Sequence, residues 1–311
     1  MPAFATHYIF FEELEDFLKE NSDFEFNKEA AAIGSQGPDI FFFCRILPFS
    51  MPGKPLAKIG SLLHRAKPSD ILDAFCEYLE ISSNIDIAKS YIYGFILHYA
   101  LDRKCHPFVY SVQEKIVEHN KFIHPSSAHN KVEYSLDSLM LNNRLGIYPP
   151  NEIKLYETFG ESKEVVDEIS RLLSFTISKA INKSISENDI SKAVSDTNKM
   201  QKLFQDESGF WLFVAKTLET ISAPISKHYK FSVMFRTKDL EKAKKYANIN
   251  GKIWTSPFDS SKHNESFEEL FENAKDDAKK LIIGFNDMLK GETDGKTITD
   301  NLSFLTGLEV D

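Results

Sequence analysis

Histidine and carboxylate recur at helical spacing in two stretches of the chain. Gly94, His98, Asp102 and His106 follow one another at intervals of four. On an α-helix each such step climbs about 6 Å and turns by about 40°, so the four form one slowly winding stripe. His129 and Glu133 repeat the interval, and Asp137 extends it by another turn. Helices that each present imidazole and carboxylate on one face are what helical bundles use to build metal sites. Nitrogen and oxygen donors of this kind suit zinc. Taken alone, His98 and Asp102 read as a hydrogen-bonded pair inside a helical core, and His129 and Glu133 as a polar pair on an exposed helix.

Further candidates lie upstream. Gly34, Gly37 and Pro38 make a fixed turn that ends on Asp39, just before Phe41, Phe42 and Phe43. In isolation Asp39 reads as a turn or cap residue, and His7 and His64 as structural or exposed histidines. Gly94 costs about 1 kcal/mol relative to alanine inside a helix, so it needs a reason. We expect it to make room beside His98. His119 and His124 are expected to be solvated in a loop, and His228 and His263 receive no role. Cys105 is expected to be a small buried thiol. Phe41, Phe42, Phe43 and Tyr99 read as core, with a cleft lining as the alternative.

The elements that must carry these residues are helical. Phe267, Leu270, Phe271, Ala274, Ala278, Leu281, Ile282, Phe285 and Met288 form an apolar stripe behind a capping-box pattern, Ser266 and Glu269. Val165, Ile169, Leu172, Leu173, Thr176 and Ala180 form another. Further helices are expected near 8–20, 69–80, 86–103, 127–141, 188–204 and 208–221. Proline and glycine punctuate them at Gly34 to Pro38, Pro48 to Pro55, Pro149-Pro150, Pro224 and Gly251 to Pro257. Lys230 to Phe235 is the best strand candidate. The fold expected is all-α: a helical metal-binding core over residues 1–148, and a helical C-terminal region over 149–311 packed on it as one globular unit. A hinge or boundary falls at Tyr148, Pro149 and Pro150.

Composition agrees with a folded soluble protein. The chain has 311 residues, 42% hydrophobic and 27% charged, so neither disorder nor a membrane bundle is the default. A net charge of −9 argues against a broad sequence-independent nucleic-acid surface. The halves share the negative charge evenly, yet seven of nine histidines lie in the first 130 residues. Cys44, Cys76 and Cys105 form no CxxC pair and leave one over, so a reducing compartment, the cytoplasm, is expected rather than a disulfide framework. No basic-then-apolar leader is read at Met1 to His7, and no stretch has the ~20 apolar residues of a transmembrane helix.

In order, spacing and residue type together, His7, Asp39 after Gly37-Pro38, His64, the Gly94–His98–Asp102–His106 stripe with Pro107, and His129 with Glu133 resemble the zinc-dependent phospholipase C family of bacteria, related to the S1/P1 nucleases. The resemblance spans roughly residues 1–140. It implies an all-α bundle holding two to three zinc ions. Asp39, His64, His98 and Asp102 would surround one metal; His106, His129 and Glu133 a second; His7 and a bridging Asp102 the third. Asp39 matches the family aspartate that orients or deprotonates the attacking water. Clustered zinc would acidify that water and neutralise charge on phosphoryl oxygens.

Three features depart from the family pattern. The chain begins Met-Pro-Ala-Phe, without the N-terminal tryptophan whose amine completes the third site in secreted members. Asp102 and His106 are only four apart, closer than in those enzymes. Residues 150–311 read as helical rather than as the membrane-binding β-sandwich of toxin-like members. The resemblance therefore implies a zinc-dependent phosphoric ester hydrolase acting on a small-molecule or lipid phosphate ester, with no implied lipid-surface activity. The alternatives are a nuclease or nucleotidase using the same metals, which the acidic balance disfavours, and a non-catalytic, metal-stabilised helical binding protein. The oligomeric state has no signal in the sequence.

Overall fold

The N-terminal helix begins where a buried carboxylate far along the chain receives it. In the computed structural model, which describes residues 3–45, 56–147, 153–222 and 230–310, Asp137 accepts the backbone N–H groups of Ala5 (3.0 Å) and Thr6 (2.9 Å) and the Thr6 hydroxyl (2.7 Å). These are first-turn donors that a helix cannot satisfy internally. Helix α1, Phe4–Glu20, follows and buries Ile9, Phe10, Phe11, Leu14 and Leu18.

Helix α2, Lys28–Gly34, is capped by the Asn27 side chain, which accepts from Ala30 N at 2.9 Å. Ala30, Ala31, Ala32 and Gly34 leave it with a nearly bare surface. A 3-10 turn, Gly37–Asp39, leads into α3, Ile40–Phe43. Then come α4, Ala57–Leu63, and α5, Pro68–Leu79. Helix α6, Ile85–His119, is 35 residues long and forms the axis of the molecule. It was expected to end near residue 103, yet it runs on through Pro107. A proline inside a helix removes one donor and crowds one carbonyl, and here Phe108 and Val109, both fully buried, continue the apolar surface past it.

Helix α7, Pro125–Leu145, ends on Gly146, whose left-handed φ of 67° needs no Cβ. Next are α8, Lys163–Ile181, α9, Glu187–Gln205, α10, Phe210–Ser222, and the short α11, Leu240–Lys244. Helix α12, Phe267–Leu289, starts with the capping box read from the sequence: Ser266 Oγ accepts from Glu269 N, and Glu269 Oε2 from Ser266 N. Helix α13, Gly295–Thr299, precedes the C-terminal loop.

The protein is all-α. Among the described residues the only paired strands are β1, Trp254–Thr255, and β2, Lys262–His263, antiparallel with Trp254 opposite His263. The strand expected at Lys230–Phe235 is instead a 3-10 turn, Phe231–Met234, and Phe231 within it and Phe235 just after it both pack against Phe204 rather than alternating across a sheet. The boundary expected at Tyr148 to Pro150, and the breaks at Pro48 to Pro55 and Pro224, lie outside the described residues.

Helices α2 and α12 pack on α6, with α1 and α7 alongside. One apolar core runs from Phe4 to Phe304 and so draws on both halves of the chain. Gly94 does not open space beside His98. A Cβ there would lie 2.1 Å from Ala31 O, and one at Gly34 would lie 2.1 Å from Tyr91 O. The two glycines let the backbones of α2 and α6 touch. Among the described residues no helix is long and apolar enough to cross a membrane.

Candidate metal centre

Five chain segments bring the eight sequence-selected residues into three groups, each with donor atoms mutually within 4.8 Å: His7, Asp39 and His98; His64, His98 and Asp102; His106, His129 and Glu133. His98 belongs to two of them. Helix α6 supplies His98, Asp102 and His106 from one stripe, α7 supplies His129 and Glu133, and α1 supplies His7. His64 closes α4, and Asp39 ends the 3-10 turn.

Asp102 lies at the centre and is wholly buried. Its oxygens are 3.1 Å from His98 Nε2, 3.4 Å from His7 Nε2, 3.5 Å from His64 Nε2 and 3.8 Å from His106 Nδ1. Asp39 Oδ1 is 3.3 Å from His64 Nε2. The His7 ring stacks on His98, with centroids 4.2 Å apart. In the third group His129 Nε2 is 2.8 Å from Glu133 Oε1.

Four imidazoles are held by the ring nitrogen that faces away. Nδ1 of His64 lies 2.8 Å from Gly60 O, that of His98 3.2 Å from Ser35 O, that of His106 2.6 Å from Phe304 O, and that of His129 2.7 Å from Gln113 Oε1. An acceptor at Nδ1 fixes the tautomer and leaves Nε2 with a lone pair, as metal-ligating histidines require. Gly37 makes the His98 contact feasible: its φ is +48°, and a Cβ there would lie 2.4 Å from the His98 ring.

Several inward-facing atoms make no well-formed hydrogen bond and face only one another: both His7 nitrogens, Asp39 Oδ1, both Asp102 oxygens and His106 Nε2. Stranding so many polar atoms in a folded interior is expensive unless something binds them. A cation held within each group would pair these atoms, and the imidazole and carboxylate donors fit zinc in type.

The electrostatics point the same way. Burial alone would raise Asp102, but the surrounding imidazoles of His98, His106, His64 and His7 hold its carboxyl well below the usual carboxylate range. Burial also opposes the charge on Glu133, and the His129 imidazole outweighs it. Burial pushes His106 well below the ordinary imidazole value, and His98 below it despite Asp102. These directions favour anionic carboxylates and neutral imidazoles. His64 differs: burial disfavours its charge, but Asp102 and Asp39 lift it to about 9. A metal cation in its place would take over that pairing with the two acids.

A cleft of about 750 Å³ opens onto the centre. Asp39, His64, His106, His129 and Glu133 reach its wall, while His7, His98 and Asp102 lie beneath it. Phe42, Phe43, Tyr110 and Tyr134 supply apolar lining, and Arg65 a cation. Phe41 and Tyr99 are buried in the core instead.

Other histidines stand apart. His119 closes α6 rather than lying in a loop, and exposed His124 caps α7 by accepting from Ser126 N. His263 stacks on Trp254. His228 lies outside the described residues. Cys105 is fully buried, and burial pushes its thiol up.

Sequence reading missed the residues that hold the donors. Gln113 continues the α6 stripe seven positions beyond His106, a signal that was available. The carbonyls of Ser35, Gly60 and Phe304 carry none, because any residue offers one. Asp137, read only as a third member of the α7 stripe, anchors His7's helix and also accepts from Arg236 at 3.1 and 3.2 Å.

A family model described as zinc dependent phospholipase C matches residues 6–187. That span holds all eight donors and more than half of the chain. Nothing matches among curated proteins or among solved structures.

Proposed function

The chain belongs to the zinc-dependent phospholipase C family, and on that premise we propose that it hydrolyses a phosphate ester, of phospholipid class, with two to three zinc ions held by His7, Asp39, His64, His98, Asp102, His106, His129 and Glu133. The observation that carries this reading is the convergence of eight buried or half-buried imidazoles and carboxylates into three donor groups, with four of the imidazoles fixed at Nδ1 so that Nε2 faces the groups. Bound zinc supplies positive charge for phosphoryl oxygens and acidifies a water.

The chain's own residues do the rest. Asp39, on the cleft wall with Oδ1 facing His64 Nε2 at 3.3 Å, orients the attacking water and takes its proton. Arg65 offers a second cation to the phosphoryl group. Phe42, Phe43, Tyr110 and Tyr134 exclude bulk water from the cleft, which strengthens every charge interaction there. We take the C-terminal half to be part of the same unit, since Phe304 O holds His106 and Arg236 holds Asp137. A reducing, cytoplasmic setting is supported by three free cysteines, Cys44, Cys76 and Cys105.

The test is an activity panel over choline phospholipid, inositol phospholipid, nucleotide monophosphates and single-stranded DNA, before and after chelation and zinc restoration. Diacylglycerol release that chelator abolishes and zinc restores is expected. The Asp39→Asn variant should keep most of its zinc and lose turnover. Cleavage confined to nucleotides or DNA would replace the lipid substrate with a nucleic one. A protein that chelator destabilises, but that cleaves nothing, would be a metal-stabilised scaffold and not an enzyme.

A further inference from the structure

Helix α10 turns its most apolar face outward. Phe210, Trp211, Phe213, Leu218 and Ile221 are 56, 49, 67, 61 and 68% exposed. At the helical repeat these five fall within one arc of about 160°. The opposite side, with Leu212 and Ala215, packs into the cluster around Phe204.

The helix is firmly seated. Asp206 accepts the N–H groups of Trp211 (3.1 Å) and Leu212 (2.8 Å), and Glu219 accepts the backbone N–H and hydroxyl of Ser232 (2.6 and 2.7 Å). The exposure is therefore built into the fold. A soluble protein rarely leaves so many adjacent large apolar side chains in water without a partner for them.

Two observations identify the partner. Phe231 and Met234 pack beneath α10 and also line the cleft over the candidate centre, so the face adjoins the cleft wall. Beside α10 a hollow of about 500 Å³ is edged by Lys131, Lys216, Lys238 and Lys242, with Asp206 and Asp239 also on its wall and Lys242 paired to Asp239 at 3.0 Å. In a chain of net charge −9 these lysines outnumber the two acids beside them, a local excess complementary to lipid phosphate. We infer that α10 docks the protein on a phospholipid surface. Its aromatic and aliphatic side chains enter the headgroup–acyl boundary while the neighbouring lysines meet phosphates. The choice of lipid as occupant rests on the phospholipase reading above.

The experiment uses the full chain with vesicles of phosphatidylcholine containing a minor share of phosphatidylglycerol. Trp254 is 4% exposed and Trp211 is 49% exposed, so Trp211 reports any insertion. Its emission should shift to the blue on adding vesicles, and Trp211→Phe should lose the shift. Phe213→Asp and Ile221→Asp point outward and should retain the wild-type circular dichroism. Each should weaken vesicle co-sedimentation roughly tenfold and cut vesicle hydrolysis by a similar factor, leaving hydrolysis of a monomeric short-chain phosphatidylcholine unchanged.

Unshifted emission, or variants that co-sediment like wild type, would overturn the inference. So would a wild-type dimer that the same variants split, with no vesicle binding by either form. Vesicle binding that the variants lose, with no phosphoester cleaved by any form, would leave the docking intact and sink the hydrolase. Cleavage of monomeric lipid without vesicle binding would do the reverse.

Discussion

Replacing Gly94 with alanine tests how the fold sets the metal centre. The new Cβ would stand 2.1 Å from Ala31 O and 2.7 Å from Ser35 N, both backbone atoms of the α2 segment. An ordinary carbon–oxygen contact is more than 3 Å, so the helices must part by about 1 Å. Overpacking costs about 1–3 kcal/mol, and the upper end applies because backbone cannot rotate aside. Better helix propensity offsets about 1 kcal/mol, leaving a net loss of about 2 kcal/mol. For a chain of this size that is a drop in Tm of roughly 4–8 °C. The displacement also moves Ser35, whose carbonyl lies against His98 Nδ1 at 3.2 Å, and the turn that carries Asp39. Zinc affinity should fall by about tenfold or more. Gly284→Ala is the control: its Cβ meets only the Ile298 side chain, and its stability should change by less than about 1 kcal/mol. Thermal melts and chelator-competition titrations read both quantities. A Gly94→Ala protein with wild-type Tm and zinc affinity would refute the idea that this helix crossing positions the centre.

Gln113→Ala removes the acceptor at His129 Nδ1 and should weaken zinc at the His106, His129 and Glu133 group by about 10–100-fold in chelator competition. Asp137→Ala strands the first-turn donors of α1 and leaves Arg236, 6% exposed, without its carboxylate. It should cost about 3–5 kcal/mol in denaturant unfolding. Glu168 is buried and accepts from Tyr78, Ser82 and Ser83. Burial works to raise its pKa, but the Ser82 hydroxyl, Arg171 and the Tyr78 hydroxyl prevail and lower it from the ordinary 4.5. A lowered carboxylate contributes stability above its unfolded pKa and loses it as pH falls through the folded one. The stability gap between wild type and Glu168→Gln should therefore be full near neutrality and close below about pH 4.5, as unfolding curves across pH would show.

The convergence of the candidate donors was legible because their chemistry is written in residue type and much of their grouping in the interval of four. His98, Asp102 and His106 had to share a face once α6 was a helix, and the capping box fixed the start of α12. What was illegible depends on backbone approaching backbone. Gly34 and Gly94 read as a turn and a gap because nothing in one sequence says that α2 crosses α6 there. The helix expected near 86–103 runs on to His119, because the apolar burial of Phe108 and Val109 carries α6 past Pro107. Lys230–Phe235 read as a strand from its apolar residues, yet its aromatic side chains cluster on one side around Phe204. Phe304 supplies a carbonyl to His106 from nearly 200 positions away, a role that side-chain identity cannot encode. The outward apolar face of α10 read simply as a helix, because periodicity shows that a stripe exists and not which way it points.

The central claim is that three convergent donor groups hold divalent zinc. Crystals grown with zinc and never exposed to chelator, measured on both sides of the zinc absorption edge, test it most directly. The account predicts anomalous peaks between His64, His98 and Asp102 and between His106, His129 and Glu133. An anomalous map with zinc in the solvent and no peak at either position would contradict it.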